Sequence, residues 1–220
     1  VGESGSGKST VARCVVRLID PTSGDINVVG ANIAQMAESE LRAYRQKIQI
    51  VFQDPYRSLN PRRTVGQSIV EGPMNFGLSG TEAQSRAKNL MRVVGLAPEA
   101  LTRFPHQFSG GQRQRICIAR ALAMEPRVLI ADEAVSALDV SVQAQVLRLL
   151  QDVRERYDLA MLFITHDLRV AAQICDRIMV MQRGVVVEEG RTSEVYANPH
   201  HPYTRSLLNA APGRETNFAR

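Results

Sequence analysis

Residues 108–139, FSGGQRQRICIARALAMEPRVLIADEAVSALD, hold a glycine-opened helix, an apolar strand and an acidic pair in one unbroken run. Ser109 is a good N-cap, and Gly110 and Gly111 leave backbone N–H groups uncovered. The helix predicted over 112–124 therefore turns its positive end toward any anion placed there. Pro126 cannot continue that helix. The apolar run from Val128 to Ala131 fits a parallel strand buried on both faces, with Asp132 and Glu133 where the strand emerges. Ligands of open α/β sheets bind at those carboxyl ends. A capping turn or an acidic strand end is ordinary by itself; the combination carries the weight.

The start of the chain supplies a second phosphate-type element. Gly2, Glu3, Ser4, Gly5, Ser6, Gly7, Lys8, Ser9 and Thr10 fit GxxxxGK[ST] without a mismatch, and a helix is predicted over 10–18. The glycines permit a tight loop whose N–H groups converge on phosphate oxygens, Lys8 adds a point charge, and Ser9 offers a hydroxyl to Mg²⁺. A chance match in a chain this long has a probability of roughly 1% from residue frequencies.

Together with SGGQ, the apolar strand, Asp132-Glu133 and Ser136-Ala137-Leu138-Asp139, this loop makes the chain resemble the ATP-binding cassette (ABC) ATPases. The resemblance implies an α/β fold: a P-loop NTPase (RecA-like) core with a mainly parallel sheet and an inserted helical subdomain. It implies ATP and Mg²⁺ as cofactors. It also implies a single domain over 1–220, with a catalytic core at 1–63 and 125–197, a helical signature subdomain at 64–124 and a tail helix at 198–220. Residues Gly2 to Thr10 would hold the phosphates of one ATP, while Ser109, Gly110, Gly111, Gln112 and Asp139 would approach the ATP of a partner subunit. Ser9, Gln53 and Asp132 would surround Mg²⁺, Glu133 would polarise the attacking water, and Gln53 and His166 would sense the γ-phosphate.

The remaining stretches read as follows. A turn over 20–24 precedes a strand at 25–29, a helix at 38–45 and an apolar strand at 48–52 that ends at Gln53, with a turn-rich segment at 54–61 after it. A strand-end glutamine is usually polar decoration; here it resembles the Q-loop of the family. Helical patterns cover 64–71, 81–94 and 98–102, and Ala83, Ala87, Leu90, Met91 and Val94 recur at helical spacing. By resemblance this block receives the coupling helix of a membrane subunit. A long helix over 140–157 leads to a second apolar strand at 160–165. His166 follows it and resembles the family's switch histidine. A hairpin is predicted from 177–182 and 185–189, followed by a last helix.

His200 and His201 are poor metal ligands, because no third ligand is near in sequence and Pro202 fixes the adjacent turn. The stretch 198–208, NPHHPYTRSLL, together with VFQDP at 51–55 and SLNP at 58–61, resembles ATPases serving dipeptide, oligopeptide, glutathione and nickel importers. Phe108 stands where many relatives have Leu, and Ala134-Val135 where most have Pro-Thr. Neither position supplies a reacting group.

With 220 residues, 44% of them hydrophobic, the chain can bury one large core. Its formal charge of +5 favours anionic partners. The basic residues are scattered, Trp is absent and aromatics make up 5%, which leaves no stacking platform for a nucleic-acid strand. Cys14, Cys117 and Cys175 lie far apart in apolar patterns and are expected as buried, reduced thiols rather than zinc ligands or disulfides. No run approaches ~20 apolar residues and no leader pattern is present, so neither a membrane span nor an export signal is expected. Val1 directly precedes the phosphate loop, so the family's feeding strand and its adenine-stacking aromatic are expected upstream of it.

The function implied by the resemblance is the ATPase subunit of an importer for a peptide-like solute, peripheral on the cytoplasmic face of the inner membrane. It would dimerise head to tail with a second ATPase subunit and bind transmembrane permease subunits, with an extracytoplasmic solute-binding protein acting indirectly. The rival is a soluble ABC ATPase acting on nucleic acid or ribosomes. The zinc-binding cysteines and long coiled-coil insertion of such machines are missing. A module that binds without hydrolysing would be favoured by loss of Glu133 or His166, and both are present.

Overall fold

The computed structural model describes residues 1–210. Helix α1 (Lys8–Val15) begins two residues earlier than its sequence pattern indicates, because the left-handed Gly7 at φ 98° serves as its N-cap. The expected strand at 25–29 is instead a hairpin of β1 (Asn27–Val28) and β2 (Ala31–Asn32), turned by Val29 at φ 49° and Gly30 at φ 79°. A β-branched residue rarely takes positive φ, so the turn was hidden from pattern reading. The Asn32 carboxamide holds it by accepting the N–H groups of Ile26 and Ala34.

Helix α2 (Glu38–Lys47) runs directly into β3 (Ile48–Val51). A helical stretch then separates β3 from its sheet neighbour: α3 (Pro55–Ser58), α4 (Val65–Asn75), α5 (Gly80–Val93), two 3₁₀ turns and α6 (Gly110–Leu122). Reciprocal capping boxes start three of these helices, pairing Thr64 with Gln67, Ser79 with Glu82 and Ser109 with Gln112. β4 (Val128–Asp132) follows, then α7 (Val140–Arg156) and β5 (Ala160–Ile164).

β4 is the middle of a parallel three-stranded sheet, with Ile130 opposite Ile50 on one side and Leu162 on the other. Its side chains alternate between two cores, which is why the run is apolar throughout. Leu129 and Ala131 join α6, α7 and the helical stretch in a cluster with Met91, Ile116 and Leu150. Ile130 points the other way, toward Ala12, Ile33, Leu41 and Ile164. Burying each such aliphatic side chain contributes about 1.5–3 kcal/mol, and the first cluster fuses the helical stretch with the sheet.

Helix α8 (Leu168–Ile174), absent from the sequence reading, follows β5; its seven residues are too few to show a helical period. β6 (Arg177–Gln182) and β7 (Val185–Arg191) form the expected hairpin, and α9 (Thr192–Ala197) and α10 (Pro202–Ala210) complete the described chain. The part of the expected tail helix at 211–220 lies outside the described residues. Among the described residues β5 is a sheet edge, and a cavity of about 800 Å³ lies between it and β6, lined by Phe163, Ile164 and Ile178. Val1 bridges to β6 there, donating to Met179 O and accepting from Met181 N. The three thiols are free, but only Cys117 is buried; Cys14 and Cys175 are half-buried because α1 and the end of α8 lie nearer the surface.

Candidate nucleotide site

Three loops meet at the carboxyl end of the sheet. The first is the glycine loop, which closes on the buried Lys8: its ammonium donates to Gly2 O and Glu3 O at 2.7 Å each and to Ser6 Oγ at 3.3 Å. Burial pushes that ammonium below its ordinary value, against the attraction of Glu133 and Asp132. Gly2, at φ 151°, lies so close to Met181 O that a Cβ would overlap it. The loop is anchored a second time where Gly184 N donates to Ser6 O at 2.9 Å. Gly7 caps α1 without a side chain, and a helix N-terminus opened by a glycine loop is an anion-binding arrangement.

The second loop leaves β4. Ser9 Oγ donates to Asp132 Oδ1 at 2.9 Å, joining the two motifs across the sheet. Asp132 is 5% exposed; burial raises its carboxyl above the ordinary value, the Ser9 hydrogen bond opposes the rise and the neighbouring Glu133 adds to it. Glu133 takes a left-handed φ of 49° and donates its N–H to Ile164 O at 3.0 Å. Its side chain is thereby turned toward His166, with 3.6 Å between Oε2 and Nδ1. A hydroxyl beside a carboxylate, both hard oxygen donors, suits Mg²⁺, which is held by one or two protein oxygens together with substrate phosphates.

Gln53, after β3, enters the same network through Ser136, whose hydroxyl accepts from Gln53 Nε2 at 3.1 Å and donates to Glu133 O at 2.9 Å. Sequence reading placed Ser136 in a motif without giving it a contact; only the fold brings it 83 residues back to Gln53. The 109–112 turn forms a separate cluster. Gln112 N donates to Ser109 Oγ at 3.3 Å, and Ser109 N to Gln112 Oε1 at 3.0 Å. Gly111 lies against Val142, whose N–H donates to Asp139 Oδ1 at 3.0 Å, so Asp139 neighbours the turn through α7. Glu3, Ser4 and Gly5 lie on the loop's outer surface, and Thr10 on the exposed side of α1.

Residues 1–136 match the family model described as ABC transporter, and residues 187–217 match the oligopeptide/dipeptide transporter C-terminal region. The chain belongs to the ABC transporter ATPase family. This ABC ATPase is 51% identical over 214 residues to a Brucella ovis protein named for peptide import ATP-binding, covering 96% of this chain and 67% of the relative. It is 55% identical to a peptide ABC transporter ATP-binding protein of Sinorhizobium fredii, with 96% and 60% covered. Against the glutathione import ATP-binding protein GsiA of Escherichia coli it is 52% identical, over 100% of this chain and 36% of that one. Among solved structures it is similar to the dimeric cassette MJ0796 in a post-hydrolysis state bound to ADP and Pi, with TM-score 0.77, 32% identity and 87% and 83% of the two chains covered. It is also similar to cbiO1 of Clostridium perfringens, with TM-score 0.81, 31% identity and 90% and 78% covered. Among the described residues no helix of this ABC ATPase is long and apolar enough to cross a membrane.

Proposed function

We propose that this ABC ATPase powers uptake of a peptide-like solute of the dipeptide, oligopeptide or glutathione class, through permease subunits that it contacts from the cytoplasmic side. The observation that carries the catalytic half is the Ser9–Asp132 hydrogen bond, which draws the phosphate loop, the acidic strand end and the Glu133–His166 pair into one network. The names of the relatives and the matched C-terminal region carry the choice of solute.

In this reading the loop from Gly2 to Thr10 cradles the β- and γ-phosphates and Lys8 leaves its loop carbonyls for them. Ser9, Asp132 and Gln53 would hold Mg²⁺, which when bound supplies charge neutralisation at the phosphates. Glu133 accepts the proton of the attacking water, and His166 keeps that carboxylate aimed while contacting the γ-phosphate. Ser109 to Gln112, with Asp139 beside them, present a helix N-terminus to the ATP of a second ATPase subunit. Dimer closure and reopening then drive the permease, and a solute-binding protein delivers cargo from outside. The helical segment 64–124, the core at 1–63 and 125–197 and the tail beyond are the working parts of that cycle.

The test is proteoliposome uptake by the ATPase assembled with its permease. ATP-driven accumulation of labelled glutathione or alanine oligopeptides, with solute-stimulated hydrolysis, is expected. Hydrolysis stimulated by nucleic acid or ribosomes and indifferent to every peptide would refute the importer reading.

A further inference from the structure

The histidine-proline-tyrosine turn after α9 has no part in the chemistry above, yet it reaches the nucleotide loop. Glu188, on β7, accepts the backbone N–H of His200 at 2.8 Å and of His201 at 3.0 Å through its two carboxylate oxygens. The His201 Nδ1 accepts the N–H of Tyr203 at 3.2 Å, so both histidines are engaged in shaping the turn. Leu207 and Leu208 of α10 pack against the cluster of Leu168, Ile178 and Val195, together with Val1. These contacts fix Tyr203, a residue 9% exposed whose hydroxyl oxygen accepts the backbone N–H of Glu3 at 3.0 Å.

That N–H belongs to the peptide unit between Gly2 and Glu3. The carbonyl of the same unit, Gly2 O, accepts the Lys8 ammonium at 2.7 Å. Before nucleotide binds, one amide is therefore held from opposite ends, by a phenol at its N–H and by the phosphate-loop lysine at its oxygen; once Lys8 turns to the phosphates, the phenol is the contact that stays. Hydrogen bonds in such a chain polarise one another, and rotation of the amide would break both.

We propose that Tyr203 is a positioning residue for the nucleotide loop, and that Glu188 acts through it by setting the 200–203 turn. The C-terminal segment is thus part of the ATP site. The inference rests on the phosphate-binding role of residues 2–10. Because the phenol supports the loop and touches no base, its loss weakens every nucleoside triphosphate alike. Because the phenol sets the loop before nucleotide arrives and keeps its contact in the ground state and the transition state alike, its loss lowers the fraction of loops ready to bind, which enters KM and leaves kcat.

The experiment uses the intact protein with Tyr203→Phe, which keeps the ring and removes the oxygen, and reads hydrolysis of both ATP and GTP. One neutral hydrogen bond predicts a roughly 3- to 10-fold rise in KM for both nucleotides with kcat unchanged. Glu188→Gln, which retains one carbonyl acceptor, is a second and independent variant. It should raise both KM values by a smaller factor and add nothing when combined with Tyr203→Phe. Wild-type KM values in Tyr203→Phe, a change confined to ATP, or full additivity of the two substitutions overturns the proposal, as does a lowered melting temperature with unchanged KM. Lys8→Ala run in parallel separates the two layers: undiminished nucleotide binding in that variant overturns the phosphate-loop reading itself.

Discussion

Replacing Glu133 by Gln removes one proton acceptor and almost nothing else, and the structure shows why. The residue's backbone is held by its own N–H on Ile164 O and by Ser136, whose N–H and hydroxyl both donate to Glu133 O. None of these bonds involves the side chain. Gln has the same length, so the left-handed turn and the Gln53–Ser136 contact persist. The carboxylate facing His166 at 3.6 Å is lost, and with it the base proposed above. General-base catalysis is worth about 10²- to 10⁴-fold, or about 2.7–5.4 kcal/mol of barrier. ATP binding survives, because the Lys8 and Ser9 contacts are untouched, so dimers should accumulate with ATP. Single-turnover hydrolysis, nucleotide titration and size-exclusion mass on the intact protein measure the three consequences. Turnover within 10-fold of wild type, or an ATP affinity that falls along with the rate, would falsify the assignment of Glu133 as base.

Other substitutions test neighbouring links. Lys8→Ala should weaken ATP binding itself, since in the proposed reading the lost charge contacts nucleotide in both ground and transition states; an unchanged dissociation constant by calorimetry refutes it. Gly111→Ala drives a methyl into Val142 and should cost about 1–3 kcal/mol, read as a lowered melting temperature that Val142→Ala largely restores. Asp132 gives a pH dependence of known sign. Its folded carboxyl is raised above the ordinary 3.8 chiefly by burial, so as pH rises from that value through the folded one, the nucleotide-free protein loses stability on this group's account. Asp132→Asn should therefore melt higher than wild type above this window, with the gap closing at more acid pH. A gap independent of pH argues against the burial origin.

The sequence pattern located β4 because its burial on both faces demands an unbroken apolar run. It located α6 from the Ser109 N-cap and the Pro126 stop, though two residues late at each end, because the structure starts the helix at Gly110 directly after its cap and ends it at Leu122. Local signals failed where conformation opposed composition, as at Val29, or where an element was too short to show a period, as in α8. The site divides in the same way. Glycines, a lysine and acidic strand ends are chemical types readable in one dimension, whereas the Ser136 bridge and the Tyr203 contact with Glu3 join residues 83 and 200 positions apart. No local pattern encodes such pairings, because the fold makes them after the elements exist.

The left-handed backbone of Glu133 has a consequence for how this protein could be improved. A non-glycine residue in that region holds about 1–3 kcal/mol of strain, which the surrounding hydrogen bonds sustain. Selection for heat resistance alone would favour release of that strain, and glycine is the residue that releases it. A library screened only for survival at high temperature should therefore enrich Glu133→Gly, with a melting temperature higher by a few degrees. If Glu133 is the base proposed above, the same clones would have lost it. Hydrolysis and heat tolerance pull this one position in opposite directions, and a screen for robust variants has to demand turnover at every round.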